Sequence, residues 1–166
     1  MSDAKSAKET ILAPFSAFNF SVEIEVPGMN GAICEAAFAE CDGLEITREV
    51  KTIREGGNNT EQIRLSGPAN YAPLTLKRGM TSSFDLWRWF QKSLENPSLR
   101  GSADVVLFAT ERSNDGQNKR QERARFRLTG CLPVKLKAPA MNAKDGTIAI
   151  EEFQMVYASM KLKPDE

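Results

Sequence analysis

Two adjacent carboxylates, Glu151 and Glu152, most invite an acid–base reading of this chain. Paired acids do catalytic work only when both reach one substrate, and neighbours on an extended strand point to opposite faces. In a strand these two cannot share a substrate. Lys77-Arg78-Gly79 stands just before a helix start, where free backbone N–H groups attract anions. Without a Walker-type glycine loop that phosphate signal is weak. The run Asn118-Lys119-Arg120-Gln121-Glu122-Arg123, continued by Arg125 and Arg127, is locally basic. Arg123, Arg125 and Arg127 fall on one strand face, either lining a polar surface or channel or guarding a solvated strand edge against aggregation. The chain has no histidine, which removes Ser-His-Asp and Cys-His catalysis, histidine metal sites and histidine pH switching together. Cys34, Cys41 and Cys131 lack CxxC spacing and read as buried reduced thiols rather than zinc ligands or a disulfide framework. The residues suggest no catalytic, metal or cofactor site.

Lys plus Arg equals Asp plus Glu at 22 each in 166 residues, so the net charge is zero. A general nucleic-acid binder would carry a basic excess, and a neutral surface favours self-association. The opening Met-Ser-Asp-Ala-Lys-Ser-Ala-Lys-Glu-Thr has no apolar core of a secretory signal, and no stretch reaches a membrane span. The expectation is synthesis in the cytoplasm, export by another route, and no membrane anchor.

The stretch 71–94 organises the elements. Leu74 and Leu76 alternate with Thr75 and Lys77 as in a half-buried strand, Gly79 is expected to turn the chain, and Ser82 with Asp85 reads as a capping box. The helix is expected over about residues 83–95, with Leu86, Trp87, Phe90 and Leu94 as its core face and Asp85, Arg88 and Lys92 on the solvated side. Trp89 falls nearer the polar side. It either covers a neighbouring loop or marks a protein contact. Residues 1–14 read as a flexible arm, 15–162 as a single domain and 163–166 as a frayed tail. Phe18, Phe20, Val22, Ile24 and Val26 alternate as one strand, and Ala36–Cys41 is a second short one. Leu44–Arg54 and Thr60–Ser66 form a hairpin around Glu55-Gly56-Gly57-Asn58-Asn59, with so little apolar surface that it either rests on the body, is completed by a second chain, or stands as a solvated surface hairpin with paired charges. A second hairpin joins residues 103–111 to 120–129 through Asn114-Asp115-Gly116, and Leu132–Lys137 is a further extended piece. A last strand runs over 147–162, and the parity change between Ile150 and Phe153 predicts a bulge near Glu151-Glu152. The fold class is mainly β: an antiparallel β-sandwich or partly closed β-barrel with one flanking helix.

Leu74-Thr75-Leu76-Lys77-Arg78-Gly79-Met80-Thr81 followed by Leu86-Trp87-Arg88-Trp89 resembles a known family. It is similar to the tail tube proteins of contractile-tailed phages and the inner tube proteins of phage-derived extracellular contractile injection systems. The likeness continues through Phe18-Asn19-Phe20-Ser21-Val22-Glu23-Ile24, Cys41-Asp42-Gly43-Leu44, Gly56-Gly57-Asn58-Asn59 and residues 148–157. It implies a fold akin to the type VI secretion tube protein, hexameric rings stacked into a hollow tube, and a surrounding sheath whose contraction drives the tube through a target envelope. The implied partners are further copies of the chain, the sheath protein, baseplate or spike and tube-terminator proteins, and a DNA or effector cargo. On the same grounds the inter-ring and inter-subunit contacts are expected at Glu49, Lys51, Arg54, Glu55, Gly56, Gly57, Asn58, Asn59, Thr60 and Arg64, and the outer, sheath-facing side at Arg88, Trp89 and Lys92. The alternatives are a baseplate-proximal initiator ring of the same machine and, further off, a monomeric small-ligand β-barrel with an apolar pocket.

Overall fold

A computed structural model describes residues 19–34, 38–54, 56–57, 61–112, 118–144 and 146–164. The expected arm, Phe18, the start of the 36–41 strand, the 114–116 turn and the last two tail residues lie outside the described residues, as do Glu55, Asn58, Asn59 and Thr60.

The alternation around Val22 and Ile24 produces β1 (Phe20–Glu25), with both side chains fully buried. Short strands β2 (Ala32–Cys34) and β3 (Glu40–Asp42) follow, then the hairpin strands β4 (Ile46–Ile53) and β5 (Ile63–Tyr71). Next come β6 (Leu74–Gly79), the single helix α1 (Asp85–Glu95), and the long strands β7 (Gly101–Arg112) and β8 (Asn118–Lys137). The chain closes with β9 (Ile150–Val156) and β10 (Ser159–Pro164). All pairings are antiparallel.

The main sheet runs β2-β1-β7-β8-β9-β6-β3, with β10 also paired to β8, while β4 and β5 pair only with each other. The path is open, so the small-ligand alternative loses its closed barrel. What was read as two extended pieces, 120–129 and 132–137, is one 20-residue strand. The first half of β8 lies between β7 and β10, and its second half pairs with β9. Gly130, at φ +66°, sits at the crossover, where an added Cβ would come 2.8 Å from the Ala158 methyl. Through this strand the two halves of the sheet share one core: Val22, Ile24, Val105, Leu128 and Cys131 from one, and Leu74, Leu76, Phe153 and Met155 from the other, with Leu86 and Trp89 of α1.

The predicted bulge at Glu151-Glu152 is absent, because β6 and β9 stay in continuous register from Leu74↔Met155 to Gly79↔Ile150. The inward set is Glu151, Phe153, Met155 and Tyr157, while Ile148 and Ile150 are exposed. Glu151, not Ile150, takes the inward position before Phe153. Gly79 ends β6 without positive φ and makes no tight turn. The strand read over 147–162 is two strands, separated at residues 157 and 158.

Candidate functional site

The β4–β5 ribbon stands apart from the rest of the sheet. Ile46 pairs with Tyr71 and Ile53 with Ile63, with an irregularity between Arg48 and Val50. Its base is fixed by Gly43, at φ +103°, where a Cβ would lie 2.1 Å from the Pro73 carbonyl oxygen. The Tyr157 hydroxyl donates to the Gly43 carbonyl at 3.2 Å, and the Tyr71 and Tyr157 rings lie 5.5 Å apart. Beyond this anchor nothing among the described residues covers the ribbon: Ile46, Val50, Ile53, Ile63 and Leu65 are all 40–57% exposed. Among the described residues, no salt bridge engages Arg48, Glu49, Lys51, Arg54, Glu61 or Arg64. A two-stranded ribbon with neither a covered apolar face nor ion pairs is marginal alone in water. Gly56 and Gly57 form its described tip, with open space around both.

Helix α1 is rotated from the expected orientation. Leu86, Trp89 and Ser93 are buried and Phe90 is half-buried, whereas Leu94 is 71% exposed. At 100° per residue the buried face is turned by roughly 60° from the expected one. Trp89 is therefore not an outer-surface aromatic. Its ring packs 5.5 Å from Phe153 and lies against Gly101, where a Cβ would come 3.1 Å from Cζ2. Trp87 takes the flank, half-buried, and its indole N–H donates to Glu151 Oε2 at 3.1 Å. No side chain caps the helix. Phe84 holds the N-cap position and the Ser83 hydroxyl donates to Asp85 Oδ2 at 2.9 Å, so the Ser82 capping box does not form. Of the predicted outer residues, Arg88 and Lys92 are exposed; Arg88 pairs with Asp85 at 3.1 Å and Lys92 Nζ donates to the Gly28 carbonyl at 3.3 Å.

Glu151 accepts a hydrogen bond from Arg78 Nε inside the protein, where the two side chains are 2% and 3% exposed. Arg78 also donates to the Ser83 carbonyl at 3.1 Å and lies over the Phe38 ring. These contacts join β6, β9 and the start of α1 into one polar clamp. Arg78 is thus a structural cation, not a phosphate ligand. Glu152 points outward to Lys135 at 2.7 Å, which holds its carboxyl below the usual range. The two acids do face opposite ways.

On the other half of the sheet, Arg125 binds Glu122, Asp104 and Glu23 at 2.7, 2.8 and 3.2 Å. The Glu122 hydrogen bond, first among these, pushes the guanidinium further above its ordinary range, and Glu122 is lowered in return. The sequence shows Glu122 within the basic run but not the other two acids of the cluster, because Glu23 and Asp104 come from β1 and β7. Burial raises Cys41 to about 11 and Cys131 to about 12, so both remain thiols at neutral pH. Among the described residues no group of three or more His, Cys, Asp or Glu could hold a metal ion, and no helix is long and apolar enough to cross a membrane.

The open sheet and its exposed ribbon have counterparts among known proteins. The family described as T4-like virus tail tube protein gp19 matches residues 16–161. The chain belongs to this family. The tail tube fold recurs in solved structures. A chain of the anti-feeding prophage baseplate, 6-fold symmetrised, superposes with a TM-score of 0.78 at 21% identity, over 93% of this chain and 98% of that one. A chain of an extracellular contractile injection system, the PVC sheath-tube complex in its extended state, gives 0.72 at 16%, over 93% and 95%. Hcp1 of the E. coli EAEC 042 pathovar gives 0.51 at 13%, over 90% and 93%. No curated protein matches the sequence. The tail tube family is one of structural components, which suits a site made of exposed ribbon and sheet edges.

Proposed function

We propose that copies of this chain close into sixfold rings and stack into the hollow inner tube of a contractile phage tail or injection particle. Sheath contraction then drives the tube through a target envelope, with the lumen as conduit for DNA or an effector. The carrying observation is the family match over 16–161 in a chain whose β4–β5 ribbon exposes five large apolar side chains and six charged ones without ion pairs. A neighbouring ring supplies the missing cover. The ribbon, with Glu49, Lys51, Arg54, Arg64 and the Gly56-Gly57 tip, makes that contact, and the α1 surface carrying Arg88 and Lys92 faces the sheath. Sheath, baseplate and terminating-cap proteins are the partners, in line with the assemblies in which the structural relatives occur.

The fold shared with a baseplate chain supports a second reading, a single initiator ring at the baseplate end. Negative-stain electron microscopy of the purified chain over a range of concentrations tests both. Annular sixfold particles that grow into rods support the tube. Single rings that never stack support the initiator, and uniform monomers at high concentration overturn both.

A further inference from the structure

The register of β1, β7, β8 and β10 aligns four charges in one rung. Glu23 lies opposite Asp104, Asp104 opposite Arg127, and Arg127 opposite Lys161. The rung reads acid, acid, base, base across the sheet. Its middle is neutralised within the chain, since Asp104 Oδ2 accepts from Arg125 at 2.8 Å and from Arg127 at 3.4 Å. Its two ends are not. Lys161 and Lys163 on β10 are exposed and without an ion pair among the described residues, as is Glu25 on β1, while Glu23 has one bond, at 3.2 Å, to Arg125.

Both ends lie at strand edges among the described residues. There β10 pairs only with β8, and β1 meets β2 at Ile24 and Glu25, with no described partner for Phe20–Glu23 on that side. Glu23 and Glu25 are two residues apart on one face, as are Lys161 and Lys163, so each pair has the same spacing of roughly 7 Å. An acidic edge and a basic edge on one sheet cannot meet by a twofold axis without opposing like charges. They match head to tail, the heterologous contact that makes a ring where its rotation closes.

We infer that Lys161 and Lys163 on the β10 edge of one copy pair with Glu23 and Glu25 on the β1 edge of the next copy around the ring. The inference rests on the ring reading above and adds which edges meet and by what chemistry. Leu162, 57% exposed on the opposite face of β10, adds an apolar contact at the same seam.

The test uses two full-length variants. Lys161→Glu/Lys163→Glu has two acidic edges and Glu23→Lys/Glu25→Lys has two basic ones. Each alone is expected to lose its annular particles in micrographs at physiological salt, while an equimolar mixture regains them, because alternating copies restore every contact in an even-numbered ring. Variants that ring as well as wild type, or a mixture no better than its components, overturn the pairing while leaving the ring reading intact. Wild-type protein without rings at any concentration overturns both. Should the Glu23 change unfold the chain through Arg125, the lysine variant decides alone, since its replaced residues make no ion pair in the described structure. Its milder form, Lys161→Gln/Lys163→Gln, is expected to raise the concentration needed for rings about tenfold, and an unchanged concentration counts against the pairing.

Discussion

At the scale of single residues, the most consequential group is one whose face was misread. Glu151 is as buried as its neighbours Phe153 and Met155, and it is held there by Arg78 and Trp87. Removing one partner of a buried pair leaves the other desolvated and uncompensated, at a cost of about 3–5 kcal/mol. Glu151→Gln is therefore expected to lower unfolding stability in urea by that order, and Arg78→Met/Glu151→Leu by less. A single variant within about 1 kcal/mol of wild type would mean the clamp is not an ion pair in solution. The cysteines carry a pH prediction. Their folded values, about 11 and 12, lie above the ordinary 9.0. The unfolded thiols ionise first, so their contribution is complete below pH 9 and is lost as pH rises towards 11–12. Tyr157, raised mainly by burial, acts in the same direction from 10.0 upward. Stability measured from pH 8 to 11 should fall steadily above 9; a flat profile would contradict the burial of these groups.

At the scale of elements, the strands and the helix were legible because alternation and a 3.6-residue period survive in the sequence, as at Val22-Ile24 and Leu74-Leu76. Their facing was less so. Glu151 broke the pattern because a paired carboxylate sits on the apolar face, and reading it as polar produced a false bulge. The helix was misrotated because the apolar period put Trp87 on the core face and Trp89 off it, while tertiary context exchanges them: Glu151 captures the Trp87 indole N–H, and Gly101 leaves room for the Trp89 ring. A lone glycine at the start of an apolar strand was the available signal. Two substitutions separate the old orientation from the observed one. Trp89→Ala should cost about 3–5 kcal/mol of stability, as for a buried aromatic. Leu94→Ser should change it by less than about 0.5 kcal/mol. The reverse ranking in denaturant melts would restore the original orientation.

At the scale of the whole molecule, the ribbon's exposure and the sheet's open edges were legible only as a deficit: too few apolar residues in 44–66 for a hairpin to stand alone. In the proposed tube, what fills the deficit lies in other copies, which no single-chain pattern encodes. The ribbon tip is where this can be decided. Gly56 and Gly57 have no atom within 4 Å of an added Cβ, so valine there meets nothing in the chain's own described structure. Gly57 alone carries positive φ, +104°, where a β-branched residue strains the backbone by about 1–3 kcal/mol. That strain falls on a ribbon remote from the core, so the main melting transition of Gly56→Val/Gly57→Val should stay near that of wild type. Stacking should not survive if, as proposed, the tip meets the next ring by bare backbone. The expected micrograph shows rings without rods, and Gly56→Val alone, free of the φ penalty, should shorten rods less. Rods of unchanged length in the double variant would remove the ribbon from the ring-to-ring contact while leaving the pairing of sheet edges within each ring to stand or fall by its own charge swap.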